Sequence, residues 1–131
     1  MITQPELRQR GLMLFNQLYG NGAGEALRQD MADICPDFTE ITIEWAMGGI
    51  MSREGLDPIT RELVVIASCV TLGHPVPQLK AHTQAALNAG ASRTQIIETI
   101  LQMLFYAGGA AVRNALVHIQ EIVNAPPEDK K

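Results

Sequence analysis

The chain has 131 residues, of which 47% are hydrophobic and 18% charged, and its net charge is −4. This length is enough for one domain with a core, and the acidic balance gives no support to nucleic-acid binding, which leaves a basic footprint. No apolar run is long enough to cross a bilayer, and residues 1–20 carry polar groups throughout, unlike a secretory signal. Cys35 and Cys69 form no CxxC or zinc spacing, so we predict reduced thiols, no metal site and a cytoplasmic protein.

The first half of the chain predicts helices separated by Gly and Pro turns. Thr3 and Glu6 form a capping box for a helix that runs to about Tyr19. A short helix is predicted over about 24–34. Residues 38–50 have strand-like propensity, but their three- and four-residue apolar spacing favours a helix, because no partner strand is present elsewhere. The predicted fold class is therefore all-α, a compact multi-helix domain.

The pattern of residues 57–90 indicates two antiparallel helices joined by a tight turn. We expect the rest of the domain to pack around this hairpin. Its first helix begins at Asp57, with a proline in the first helical position, and ends at Gly73. This helix is apolar on nearly every side, which predicts burial on every side. After a proline-rich turn, the second helix over 78–88 places His82 on an apolar face.

The last third of the chain predicts two more helices and a tail. Ser92 opens a second capping box, and the apolar residues of the helix that follows continue to Phe105, with a break or kink predicted at Gly108 and Gly109. A final helix is predicted over 110–124, and the polar, proline-rich residues 125–131 are expected to be frayed. We therefore predict a single domain over residues 1–124.

The helices that begin after residues 57 and 92 are apolar over most of their surface. One account is that both helices pass through the core. The other is that part of this surface is an interface between subunits, because large exposed apolar patches are uncommon on monomers. We favour the second account and predict a homo-oligomer.

Three segments, GLDPITRELVVIAS, KAHTQAALNAGAS and IIETILQMLFYAGGAA, resemble the carboxymuconolactone decarboxylase family and its alkylhydroperoxidase D-like relatives. The likeness covers roughly residues 55–118. It implies an all-α fold around a buried helical hairpin and assembly as a homotrimer or homohexamer. It also implies one of two chemistries.

The peroxidase-like branch of the family uses a Glu, a CxxC pair and a His in a proton relay. Glu62 and His82 match the Glu and the His, but Pro75 and Gln78 stand where the cysteines would be, and Cys69 comes too early in the helix. A thiolate and its resolving thiol are the chemistry of that branch. The resemblance therefore argues against disulfide-cycling peroxidase activity.

The decarboxylase branch lacks the cysteine pair and releases carbon dioxide from a carboxylated unsaturated lactone without a cofactor. The resemblance implies His82 as the general acid/base, Glu62 as its orienting partner and Arg61 as the anchor of a substrate carboxylate. Gln78, at a position that tends to be acidic in this branch, and Tyr106 are further substrate-binding candidates. The expected partners are a small carboxylated molecule and other copies of the chain, with no nucleic acid and no membrane.

Other interpretations of these residues stay open at this point. His82 can be a hydrogen-bonded core histidine, and Arg61 and Glu62 can serve the start of their helix through its dipole or an ion pair. Cys69 can be the nucleophile of a thiol-dependent reductase. The chain can also be a non-catalytic assembly or binding protein that keeps the fold. For His118, a surface or interface histidine is the favoured interpretation.

Overall fold

The computed structural model describes residues 4–126, which are helical with no strand. The all-α prediction is confirmed. Thr3 of the first capping box and residues 127–131 of the tail lie outside the described residues. None of the described helices is long and apolar enough to span a membrane. The helices are α1 (Gln4–Tyr19), α2 (Ala23–Met31), α3 (Pro36–Ile41), a π-helix (Thr42–Met51), α4 (Pro58–Leu72), α5 (Val76–Asn88), α6 (Arg93–Gln102), α7 (Leu104–Ala107) and α8 (Gly109–Asn124).

The chain forms two compact units, with the boundary between Arg61 and Glu62. In the first unit, α1 packs against the π-helix. Two glycines allow the backbones to approach closely. A Cβ atom on Gly11 would overlap the carbonyl oxygen of Ile43, and one on Gly48 would overlap the carbonyl oxygen of Leu7.

The segment predicted as one helix over 38–50 is helical but changes type along its length. It begins as α3 and continues as the π-helix, whose end is marked by a bond from the Ser52 N–H to the Met47 carbonyl, 3.0 Å long. Apolar spacing separates helix from strand, but it does not separate an α-helix from a π-helix, because both place residues three to five apart on one face.

The start of α4 has the predicted cap. Asp57 accepts hydrogen bonds from the Thr60 N–H at 2.9 Å and from the Thr60 hydroxyl at 2.7 Å. These two bonds hold the pKa of Asp57 below its ordinary value. At the other end of α4, Gly73 has a φ of 81° and its N–H bonds the Cys69 carbonyl, which is the predicted left-handed helix end.

In the second unit, α5 and α6 both pack against α8. The predicted capping box of α6 is present, with Ser92 and Gln95 bonding each other's backbone N–H groups at 2.9 and 3.0 Å. Helix α5 begins at Val76, two residues earlier than predicted, because a proline in the first turn needs no N–H partner. The buried apolar side chains of this unit include Ile66, Val70, Leu79, Ala86, Ile96, Ile100, Val112, Ala115 and Ile119.

Within one chain, helix α4 is not buried on every side as predicted, since Val64 and Leu72 are 54% and 62% exposed. Apolar composition indicates that burial is favourable, but a single chain of this size does not cover the whole helix. The helix predicted to reach Phe105 is interrupted at Met103, whose ψ of 0° ends α6 and whose N–H turns back to the Ile100 carbonyl.

Candidate active site

The second unit contains a carboxylate and an imidazole in direct contact. Oε2 of Glu62 lies 2.7 Å from Nδ1 of His82. The Glu62 side chain is fully buried, whereas the His82 side chain is 24% exposed. An ionised carboxylate accepts hydrogen bonds and cannot donate them, so Nδ1 of His82 is the donor in this contact.

The hairpin brings this pair together. Glu62 on α4 and His82 on α5 lie at similar distances in sequence on either side of Gly73, where the chain reverses. Leu79 and Ala86 are buried on α5 at helical spacing around His82, so the imidazole is held on the packed side of the helix. The predicted partnership between Glu62 and His82 is therefore present as a contact.

The second carboxylate oxygen of Glu62 differs from the first in its surroundings. Oε1 is buried and accepts no hydrogen bond from any residue in the range 4–126. Leaving a buried polar atom unpaired costs about 1–3 kcal/mol, and more when it is charged. A carboxylate retained only for stability is expected to have both oxygens bound, so the environment of Glu62 is typical of a functional group.

Two of the predicted substrate-binding residues belong to the same unit as this pair. Gln78 is exposed and lies one helical turn before His82 on α5, which places both side chains on neighbouring parts of one face. Tyr106 is 76% exposed on α7. Their roles toward a substrate stay predictions.

Arg61, the predicted carboxylate anchor, belongs to the first unit and is half-buried. Its Nε donates to the Leu56 carbonyl and its Nη2 to the Arg53 carbonyl, both at 3.2 Å. These bonds hold the loop that precedes α4. A guanidinium has five N–H donors, so these two bonds leave donors for a carboxylate, and the predicted role stays a prediction.

The geometry weighs against Cys69 as a nucleophile. Its side chain is buried, and burial, together with the negative charge of Glu62, raises the pKa of the thiol. A reactive cysteine needs the opposite, an accessible thiol with a lowered pKa. Among residues 4–126, no three His, Cys, Asp or Glu side chains come together in a group that could hold a metal ion.

Sequence reasoning missed one feature of this unit, a cavity of about 230 Å³ beside α8. His118, expected to be a surface or interface histidine, is exposed but also lines this cavity together with Asn114. The available signal was the four-residue spacing of these two polar residues, with only apolar residues between them.

The model of the carboxymuconolactone decarboxylase family matches residues 36–121. The chain is 32% identical over 115 residues to a 4-carboxymuconolactone decarboxylase of Acinetobacter baylyi, a match that covers 88% of this chain and 84% of that protein.

Two further relatives extend the comparison. An uncharacterized protein of Paracoccus denitrificans is 34% identical over 100 residues, covering 76% of this chain and 75% of the relative. A nitrosuccinic acid decarboxylase of Metarhizium robertsii is 26% identical over 127 residues, covering 93% and 87%. The match of the family model over most of the chain and the identity to the Acinetobacter protein agree with the arrangement of the helices. The chain belongs to the carboxymuconolactone decarboxylase family.

Proposed function

We propose that this chain is a cofactor-free decarboxylase of a small carboxylated lactone, similar to 4-carboxymuconolactone, with His82 as the general acid/base. The observation that carries the proposal is the 2.7 Å contact between the His82 imidazole and the buried Glu62 carboxylate. Two relatives whose matches cover most of the chain are named as decarboxylases. Their names specify different acids, so the class of reaction has more support than the identity of the substrate.

The proposed reaction exchanges a carboxylate for a hydrogen atom. The bond between the ring carbon and the carboxylate breaks, carbon dioxide leaves, and the electron pair of that bond moves into the unsaturated lactone as an enolate. His82 then donates a proton to carbon, giving the enol-lactone, and regains a proton from solvent. Proton transfer by a positioned histidine contributes about 10²–10⁴-fold to such a rate.

Glu62 orients the ring in this proposal. By accepting the Nδ1 proton, the buried carboxylate fixes the tautomer and stabilises the imidazolium from which the proton is donated. Arg61 is proposed to bind a substrate carboxylate, and Gln78 and Tyr106 to hydrogen-bond the lactone oxygens. These three roles come from the family resemblance and the type of side chain.

The experiment is an ultraviolet assay of 4-carboxymuconolactone with released carbon dioxide measured in parallel. We expect wild type to consume the substrate and His82→Ala to lower kcat about 10²–10⁴-fold. His74→Ala is the matched control, because His74 is exposed in the turn between the two helices and should leave the rate unchanged. A His82→Ala protein with the wild-type rate would remove His82 from the mechanism.

Nitrosuccinate is the second substrate to test, since a relative is named for it. Turnover of nitrosuccinate alone would keep decarboxylation and His82 but replace the lactone with an open-chain acid. No carbon dioxide from either compound, with folded protein, would contradict the proposed assignment and favour the non-catalytic interpretation.

A further inference from the structure

The second unit contains a cavity that is separate from the Glu62 and His82 pair. Neither residue of the pair lines it. The cavity lies where the end of α4 and the beginning of α5 meet α8, and its volume is about 230 Å³. Its lining is largely apolar, including Val70, Val76 and Leu79. Such a lining favours the flat apolar body of a small molecule.

Two polar side chains converge on one wall of this cavity. Asn114 and His118 lie one turn apart on α8, so their side chains emerge on the same side of the helix. Both residues are exposed and line the cavity, so their polar groups can be reached by a ligand. An amide N–H₂ and an imidazole N–H side by side form a site for one acceptor group of a ligand.

The charge around the cavity favours an anionic acceptor on the α8 side. Among residues 4–126, none of the residues that line the cavity is acidic. Val76, the first residue of α5, and Pro75 just before it also line the cavity, and the positive end of a helix dipole attracts anions. On the wall formed by α4, Cys69 lines the cavity. The negative charge of Glu62 contributes to the raised pKa of this thiol, so a ligand carboxylate is disfavoured beside α4.

We infer that this cavity binds a small cyclic monocarboxylate, with its ring among the apolar side chains and its carboxylate on Asn114 and His118. This goes beyond the proposed decarboxylation, because it adds a ligand site that does not include the reacting pair. The chemistry of the lining specifies the ligand class. A ring fits the apolar walls, and a single carboxylate fits the two neighbouring donors.

The test is a titration of the full chain with benzoate, read by NMR of ¹³C-labelled valine and leucine methyl groups. We expect saturable shifts at Val70, Val76 and Leu79 and none at Leu14, which lies on α1 of the first unit. Benzyl alcohol has the same ring without the carboxylate and should bind at least about tenfold more weakly, because a hydrogen bond to a charged acceptor is stronger than one to a neutral hydroxyl. This readout does not depend on turnover, so it stands or fails separately from the proposed function.

Matched variants locate the ligand. Ala111 lines the cavity, whereas Ala110 is its exposed neighbour on α8 and does not. Ala111→Leu should weaken benzoate binding at least about tenfold by filling the space, and Ala110→Leu should leave it unchanged. Asn114→Ala and His118→Ala, at exposed positions that should tolerate substitution, should each weaken binding about fivefold. If Ala111→Leu does not fold, the Asn114→Ala and His118→Ala variants still test where benzoate binds.

Three results would overturn the inference. The first is the absence of saturable shifts at the cavity methyl groups. The second is equal affinity for benzoate and benzyl alcohol, which would reduce the site to an apolar cavity. The third is unchanged benzoate binding in both Asn114→Ala and His118→Ala.

Discussion

At the scale of residues, the main feature is a carboxylate that is fully buried beside a half-buried imidazole. Burial of a charge is costly, and an interaction in a water-poor setting is correspondingly strong. Glu62 uses one oxygen for His82, while Oε1 has no partner among the described residues. The pair is therefore better arranged to orient and polarise His82 than to maximise stability.

This arrangement predicts a separation of activity from stability at Glu62. In Glu62→Gln the amide oxygen can still accept the Nδ1–H bond, but the negative charge that stabilises the imidazolium is lost. We expect kcat to fall about 10²-fold. The free energy of unfolding, measured in urea, should change by no more than about 1 kcal/mol, because the loss of the ion pair is offset by the removal of a buried charge. A variant with wild-type kcat and a large loss of stability would assign Glu62 a structural role.

The lowered pKa of Asp57 leads us to expect that the stability of the protein depends on pH. Because its folded pKa is lowered by the two Thr60 bonds, its carboxylate contributes stability above the ordinary aspartate pKa, and this contribution is lost as the pH falls through the lower folded value. Asp57→Ala should therefore lower Tm at pH 7, and the difference from wild type should shrink below about pH 4. Thermal melts of both proteins from pH 7 to pH 2 measure this, with Asp33→Ala, an exposed aspartate, as control. A constant Tm difference across this range would contradict the cap.

At the scale of elements, the crossing of α1 and the π-helix depends on backbone contact rather than on side-chain packing. The two glycines at this crossing, Gly11 and Gly48, are both buried. In each case the nearest atom to an added Cβ is a backbone oxygen of the other helix. Backbone atoms cannot move aside as the end of a side chain can, so these positions accept only glycine without a shift of the helices.

Neighbouring glycines provide a test of this crossing. Gly48→Ala should destabilise the protein by about 3 kcal/mol or more through overpacking. At Gly49 an added Cβ would be 3.5 Å from the nearest atom, the Glu44 carbonyl oxygen. Gly49→Ala should therefore be neutral or stabilise the helix by up to about 1 kcal/mol. Urea denaturation measures the free energy of unfolding of both variants. Equal changes in Gly48→Ala and Gly49→Ala would mean that the close backbone contact at Gly48 does not contribute to stability.

At the scale of the whole molecule, the notable property is the amount of apolar surface left exposed in one chain. On α7, Phe105 is 92% exposed and Tyr106 76% exposed, and Val64 and Leu72 of α4 are more than half exposed. Exposed apolar surface of this kind is typical of interfaces. We propose that it is covered by other copies of the chain, in the trimer or hexamer that the family resemblance implies.

Self-association can be tested at Phe105. Burying a phenylalanine stabilises an interface by roughly 1.5–3 kcal/mol, so Phe105→Asp should shift the protein toward the 14.3 kDa monomer in sedimentation velocity. Gln120→Asp introduces the same charge at another exposed position, on α8, and should keep the wild-type mass. A monomeric wild type at micromolar concentration would contradict the proposal.

Local signals in the sequence determined most of the helices. The caps at Asp57 and Ser92 and the helix end at Gly73 depend on residues within one turn, so they could be predicted without knowledge of packing. The pairing of Glu62 with His82 was predicted for a different reason, the family resemblance together with a hairpin that reverses at Gly73. Spacing alone would have left His82 as an ordinary core histidine.

Only the tertiary structure decided the features that depend on residues far apart in the chain. The π-helix and the contact of Gly48 with the backbone of α1 involve two separate helices, and hydrophobic spacing carries no information about how closely helices approach. The cavity with Asn114 and His118 exists because three helix segments meet there and leave space. The same reason explains why Oε1 of Glu62 has no hydrogen-bond partner among residues 4–126. Local sequence determines where helices begin and end, whereas volumes and unpaired atoms depend on how the helices pack.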